Sequence, residues 1–188
     1  MCGLVGQASS KRFLDTSFLK AQNSTITHRG PDDSGEWWST DMRVGLAHSR
    51  LSIIDLSNGG HQPMTLSDEE MTIVFNGEIY NHLELRKKFL SNDNFQTTSD
   101  TETLIKLFKK FDYSKFMHEL RGMFSFVILN EHSHEIGVFR DRAGEKPLYI
   151  STSENFLSFS SDLRVNRLMK GFDSNISRES VGKFLRYG

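Results

Sequence analysis

At 188 residues the chain has room for one domain with a sizeable core, and hydrophobic residues make up 37% of it. A formal net charge of −1, with no block of like charges, disfavours a nucleic-acid partner. The single cysteine excludes an internal disulfide or a cysteine zinc cage, the longest apolar run (Met123 to Leu129, interrupted by Ser125) is far below a membrane span, and no secretory signal opens the chain, so the expected location is cytoplasmic.

The predicted elements begin with a short strand at Leu4-Val5. Residues 15–27 read as a helix with Phe18, Leu19 and Ala21 on one side. A polar, turn-rich stretch, 28–35, follows, then strands at 36–39, 43–49 and 51–54. Asn58-Gly59-Gly60 marks a loop, and residues 71–75 read as a strand. Asn81 and Glu84 predict a capped helix start, and Ser99 with Glu102 form a better capping box. The helix opened by Ser99 carries Leu104, Leu107, Phe108 and Phe111 on one face. The second half reads as strands at Phe124–Leu129, Glu135–Arg140, Leu148–Ser151 and Phe156–Ser160, with helices over 161–169 and 178–186. The chain stops at Gly188 directly after that helix, which predicts part of a longer protein. Without a strict βαβ rhythm, the pattern predicts a mixed α+β domain with largely antiparallel sheets. One domain is expected over 1–188, with its core over 2–170.

Cys2 stands out by position. Removal of Met1 would leave it with a free α-amine, whose ordinary pKa of about 7.7–8.0 suits it to take the proton of its own thiol. The competing reading is an ordinary buried cysteine near a terminus, and position alone leaves the two even. Asn76-Gly77 can form an oxyanion hole from one side-chain amide and one unobstructed backbone N–H. The same pair between apolar runs is the leading hairpin-turn signal, although the return segment Glu78-Ile79-Tyr80 is very short for a hairpin. Arg50 is either an edge residue in water or a clamp for a carboxylate. Asp100 is first a helix cap and Glu78 first a surface charge, yet both would meet a ligand ammonium if they converge with Arg50. His132 and His134 fall in a predicted hairpin turn with no carboxylate cluster beside them, so no metal site is expected. No glycine-rich phosphate loop is present, and nothing in the chain looks able to bind ATP.

Taken together the segments resemble the class II, N-terminal-nucleophile glutamine amidotransferase domain of the asparagine synthetase type. The resemblance rests on Met1-Cys2-Gly3, His28-Arg29-Gly30-Pro31-Asp32, Arg50-Leu51-Ser52-Ile53-Ile54-Asp55 and His61-Gln62-Pro63. It continues through Asn76-Gly77-Glu78-Ile79-Tyr80-Asn81, Ser99-Asp100-Thr101-Glu102, Arg140-Asp141-Arg142 and Lys146-Pro147-Leu148-Tyr149. It implies a four-layer αββα sandwich of two antiparallel sheets. It also implies Cys2 as nucleophile with its α-amine as base, and Asn76 and Gly77 around the oxyanion. Arg50 would bind the glutamine carboxylate and Glu78 and Asp100 its ammonium, with backbone at Leu51 and Ile53 lining the pocket. The implied reaction passes through a γ-glutamyl thioester to glutamate and ammonia.

The resemblance implies no cofactor in this domain; ATP and Mg belong to a synthetase domain in the same longer chain. Ala143 and Glu145 stand where the family commonly carries an aromatic and an aliphatic residue, so the acceptor stays open between aspartate and a sugar carboxylate. A homodimer also stays open. Two other readings compete: a non-catalytic glutamine-sensing or interaction domain, and an N-terminal-nucleophile hydrolase acting on a different amide.

Overall fold

The computed structural model of the chain describes residues 1–11, 16–66, 70–168 and 172–187. Residue 15 of the first predicted helix, residue 169 of the short one and Gly188 lie outside them. The strands are β1 (Gly3–Ser9), β2 (Asp33–Trp38), β3 (Val44–Arg50), β4 (Met64–Leu66), β5 (Met71–Ile79), β6 (Gly122–Asn130), β7 (Glu135–Arg140), β8 (Tyr149–Ser153) and β9 (Phe156–Ser160). The helices are α1 (Thr16–Thr25), α2 (His82–Phe89), α3 (Asp100–Lys110), α4 (Tyr113–Glu119), α5 (Leu163–Asn166) and α6 (Arg178–Tyr187).

Two sheets form, ordered β2-β3-β1-β9-β8 and β4-β5-β6-β7, and every strand pair in them is antiparallel. Side chains alternate across each strand, so β1 and β6 must satisfy two apolar environments at once. Leu4 and Ala8 of β1 meet Val127 and Leu129 of β6 between the sheets, with Leu46, Val74 and Phe159. Val5 and Ala47 face the other way, onto Leu19 of α1, Ile26 just after it and Val165 of α5. Phe124, Phe126 and Ile128 turn from the opposite face of β6 toward α2, α3 and α4. The result is the expected αββα sandwich. It also explains the apolar run around Ser125: a strand covered on both faces carries no polar face.

Phenylalanine fills the helical side of the second sheet. Phe126 stacks on Phe139 at 4.8 Å between ring centroids and meets Phe116 edge-on at 5.9 Å, both favourable arrangements. Phe116 belongs to α4, a helix the periodicity did not reveal. Its seven residues are set by the Asp112 side chain, which accepts from the Lys115 N–H at 2.9 Å.

Three expectations need correction, and the competing turn reading of Asn76-Gly77 falls. Residues 51–54 form no strand: β3 ends at Arg50, and the chain leaves as a loop whose carbonyls at Ile54, Asp55 and Ser57 accept from the Arg50 guanidinium. Asn76-Gly77 makes no turn, because β5 runs through both residues in register with β6. The helix over 161–169 shortens to the four residues of α5. The capping logic also differs. Asn81 precedes α2 without capping it; its amide instead donates to Glu119 O at 2.9 Å and accepts from Arg121 N–H at 3.0 Å, tying α2 to the start of β6. Ser99 does cap α3, accepting from the Thr101 N–H at 3.1 Å, but Glu102 reaches back past Ser99 to the N–H groups of Gln96 and Thr97.

Candidate active site

The site is built on an interrupted sheet edge. β4 pairs with β5 only as far as Met64 opposite Ile73, so from Phe75 onward β5 has a free side. Buried backbone donors there require other partners. The Phe75 N–H donates to Gln62 Oε1 at 2.7 Å, and the Ile79 N–H donates to Asp100 Oδ2 at 2.9 Å. Phe75 O accepts from His48 Nε2 at 2.9 Å. Burial holds the His48 pKa near 4, so its ring is neutral and carries its proton on Nε2.

Gly77 lies midway between Phe75 and Ile79. Its partner Phe124 donates its N–H to Asp141 Oδ2 at 3.1 Å, and its carbonyl accepts from the Asp141 N–H at 2.8 Å. Both groups of Phe124 therefore point away from β5, and the Gly77–Phe124 pair exchanges no ladder bonds. Gly77 turns its N–H to the free edge, where no acceptor takes it among the described residues. A side chain would not fit there: a Cβ on Gly77 would lie 2.7 Å from Phe124 Cα and closer still to the Met123 carbonyl oxygen.

A cavity of about 130 Å³ opens against this edge, and its wall brings together Cys2, Arg50, Leu51, Ile53, Asn76, Gly77, Glu78 and Asp100, all eight of the candidate residues. Cys2 lies just before β1, at the mouth between the two sheets. Its Sγ accepts from the Leu51 N–H at 3.4 Å and lies 3.5 Å from the Leu51 carbonyl. Burial raises the thiol pKa, opposed by the Leu51 N–H, the N-terminal amine and the cations of Arg50 and Lys146. Met1 shares the cavity wall. The Arg29 Nε donates to Cys2 O at 3.1 Å, which anchors the residue from behind.

Arg50 is buried at the end of β3. Three of its contacts go to the loop that covers the cavity, so it shapes that loop as well as lining the site. Gly60 packs against it closely: a Cβ there would meet the guanidinium, which would have to shift. Ile53 lines the cavity yet leaves most of its side chain exposed. Asp100 is buried at the start of α3, where its carboxyl also accepts from the Ile79 N–H. Burial pushes its pKa up to about 6, with the charge of Glu78 adding to the effect and the backbone donors of Ile79 and Thr101 opposing it. The charged groups a zwitterion needs thus share one cavity wall: a guanidinium and two carboxyl groups.

Sequence reasoning did not single out Gln62, Lys146 or Asp141 as site residues. Gln62 replaces the missing β4 partner and also reaches Thr101 Oγ1 at 3.4 Å. Lys146 lines the cavity with its side chain buried. Asp141 accepts from the N–H groups of Glu145 and Lys146 at 2.8 and 3.0 Å, pinning that loop to β6. The signal was present in the His61-Gln62-Pro63 and Lys146-Pro147 segments, but a single residue's acceptor or donor cannot be assigned before its partner is known.

A larger cavity, about 970 Å³, lies at the far end of β1 near Ser9, Asp41, Glu70 and Glu154. It contains none of the candidate residues and no cysteine. Chemistry, not size, therefore points to the smaller one. Among the described residues no group of three or more His, Cys, Asp or Glu side chains is arranged to hold a metal ion, and no helix is long and apolar enough to cross a membrane.

The glutamine amidotransferase domain family matches residues 1–188. Asparagine synthetase [glutamine-hydrolyzing] 1 of Bacillus subtilis is 38% identical over 192 residues, covering 100% of this chain and 30% of that protein. A putative asparagine synthetase [glutamine-hydrolyzing] 2 of Methanocaldococcus jannaschii is 35% identical over 206 residues, covering 100% of this chain and 39% of that protein. The chain thus spans about a third of these relatives. Among solved structures, glutamine phosphoribosylpyrophosphate amidotransferase from B. subtilis, complexed with ADP and GMP, superimposes with a TM-score of 0.73 at 19% identity, over 88% of this chain and 43% of that one. That likeness shows the shared fold.

Proposed function

The chain belongs to the glutamine amidotransferase domain family, and from that premise we propose that Cys2 hydrolyses the side-chain amide of glutamine through a γ-glutamyl thioester. The observation that carries the proposal is the convergence in one cavity of the Cys2 thiol, the unpaired Gly77 N–H with the Asn76 amide, and the Arg50, Glu78 and Asp100 charges.

After loss of Met1, the Cys2 α-amine takes the thiol proton as Sγ attacks the amide carbon. The Gly77 N–H and the Asn76 amide hold the oxyanion, where each donor is worth about 10²–10³ in rate. The amine then protonates the departing nitrogen, and ammonia leaves. Water, activated by the same amine, adds to the thioester carbonyl, and glutamate is released with the thiol restored. Arg50 holds the substrate carboxylate; Glu78 and Asp100 hold its ammonium. Backbone at Leu51 and Ile53 closes the pocket.

In the longer protein the ammonia passes to a synthetase domain that amidates aspartate or a sugar carboxylate, with ATP and Mg used there. The names and lengths of the two synthetase relatives support this, as does α6, whose Phe184, Leu185 and Tyr187 are exposed and which buries no residue of its own among the described residues. A cytoplasmic setting suits a nucleophile that must stay a free thiol. The test is glutamate release from glutamine by the purified chain, with the N-terminal mass measured in the same sample. Turnover is expected from molecules lacking Met1; a chain without Met1 that binds glutamine and never hydrolyses it would overturn the proposal.

Asp100 adds a pH signature. Its pKa in the fold, about 6, lies above the ordinary 3.8. The protonated group therefore favours the empty fold at low pH, and that contribution is lost as pH rises through about 6. Binding an ammonium requires the ionised form, so the KM for glutamine is expected to rise as pH falls through about 6. In Asp100→Asn the KM should be higher at pH 8 and flat across that window. An unchanged KM–pH profile in the variant would remove Asp100 from the ammonium site.

A further inference from the structure

We infer that Ser161 is a positioning residue, whose hydroxyl holds the Asn76 carboxamide with its carbonyl oxygen inward and its NH2 group turned to the cavity. The inference rests on the oxyanion reading above. Ser161 follows β9 and is 1% exposed. Its N–H donates to Leu4 O at 2.9 Å, and its Oγ accepts from the Leu4 N–H at 3.1 Å. It therefore binds to β1 two residues from Cys2. The same Oγ lies 3.4 Å from the Asn76 amide, which projects from β5 on the opposite sheet.

Counting donors orients that amide. A serine hydroxyl has one hydrogen to give and two lone pairs to offer. Leu4 occupies one lone pair. If the Asn76 NH2 took the other, the Ser161 hydrogen would have no acceptor and Asn76 Oδ1, buried without a partner, would have no donor. Two unsatisfied groups side by side in a buried site is an unfavourable arrangement. Nitrogen and oxygen of a carboxamide have nearly the same shape, and half a turn exchanges them. In the turned amide the Ser161 O–H donates to Oδ1, and both deficits vanish. The NH2 group then occupies the buried position at which no described protein group makes a hydrogen bond, and its donors are the ones left without a protein partner. Asn76 lines the cavity, so that position is the one left for a ligand, and a donor there suits a developing negative charge where a carbonyl would repel it.

The test compares wild type, Ser161→Ala, Asn76→Ala and the double variant for kcat, KM and the rate at which iodoacetamide alkylates Cys2. Alkylation needs the thiol in place but no oxyanion hole. Ser161→Ala is expected to lower kcat about tenfold, with KM within about twofold, since one orienting hydrogen bond is removed from a transition-state contact. Its alkylation rate should match wild type, and the double variant should be no slower than Asn76→Ala. Ser161→Thr and Ser161→Val, alike in shape and differing in the hydroxyl, decide the point if alanine does not fold: Thr should exceed Val in kcat by a similar factor. Equal losses of kcat and alkylation would overturn the inference, because Ser161 would then act through β1. Additive losses, or wild-type kcat in Ser161→Ala, would also overturn it while leaving the oxyanion reading intact. Wild-type turnover in Asn76→Ala would instead remove the oxyanion reading, and this inference with it.

Discussion

Cys2→Ala is expected to abolish glutamine hydrolysis, lowering kcat by at least about 10⁴-fold, the scale on which loss of a covalent nucleophile is felt. No other thiol exists in the chain, which has one cysteine; the sulfur of Met123 on the cavity wall is a thioether and forms no acyl intermediate. Stability should hardly change. The residue is partly exposed, and among the described residues its thiol makes two long hydrogen-bond contacts, both to Leu51; replacing it removes little packing. Cys2→Ser makes the sharper comparison. It keeps a nucleophile of similar size and the same α-amine but a far less acidic group, so turnover should remain well below wild type. Glutamine binding should survive in both variants, since Arg50, Glu78 and Asp100 are untouched. Hydroxylamine added to wild type should divert the thioester to γ-glutamyl hydroxamate, and Cys2→Ala should form none. Residual turnover near wild type in Cys2→Ala would end the covalent mechanism outright.

Gly77→Ala should damage fold and function together. The atoms its Cβ would strike belong to the backbone of β6, at Met123 and Phe124, and backbone has no rotamer in which to retreat. β5 and β6 must part locally, in the pairing that joins Met71–Ile79 to Gly122–Asn130. We expect a loss of about 2–4 kcal/mol, read as a lower urea midpoint. The displaced N–H should further cost about 10²-fold or more in kcat/KM. Asn76→Ala separates the two effects: it removes an amide donor without forcing the strands apart, so activity should fall with a smaller change in midpoint. A Gly77→Ala variant with wild-type midpoint and turnover would contradict both the close approach and the oxyanion role.

Several elements show why local reading succeeded or failed. The strands Glu135–Arg140 and Phe156–Ser160 were found to the residue, because turn-formers bracket β-rich runs. Asn76-Gly77 carried a strong turn signal, yet it lies inside a nine-residue strand. The glycine is required by the approach of β6, a fact of pairing rather than of local conformation. Asn81 was placed correctly for the wrong reason: its amide bonds to Glu119 and Arg121, some forty residues on. Residues 51–54 are apolar enough for a strand, but Arg50 draws three of the following carbonyls around its guanidinium and bends the chain over the cavity instead. α4 went unseen because seven residues hold too few turns for a period to register.

The sequence by itself determined the family resemblance, the α+β class and the types of chemical group available, since nucleophile, amide, guanidinium and carboxyl are properties of single residues at known positions. Only the tertiary structure decided which donors are free. β4 stops at Met64, Phe124 turns its backbone to Asp141, Gln62 and Asp100 cap Phe75 and Ile79, and the Gly77 N–H is left facing Cys2's cavity. Each of those events joins segments 13 to 21 positions apart or depends on where a neighbouring strand ends. Hydrogen-bond satisfaction is a property of the assembled sheets: a backbone donor is identical in every residue, and only its surroundings make one of them available for chemistry.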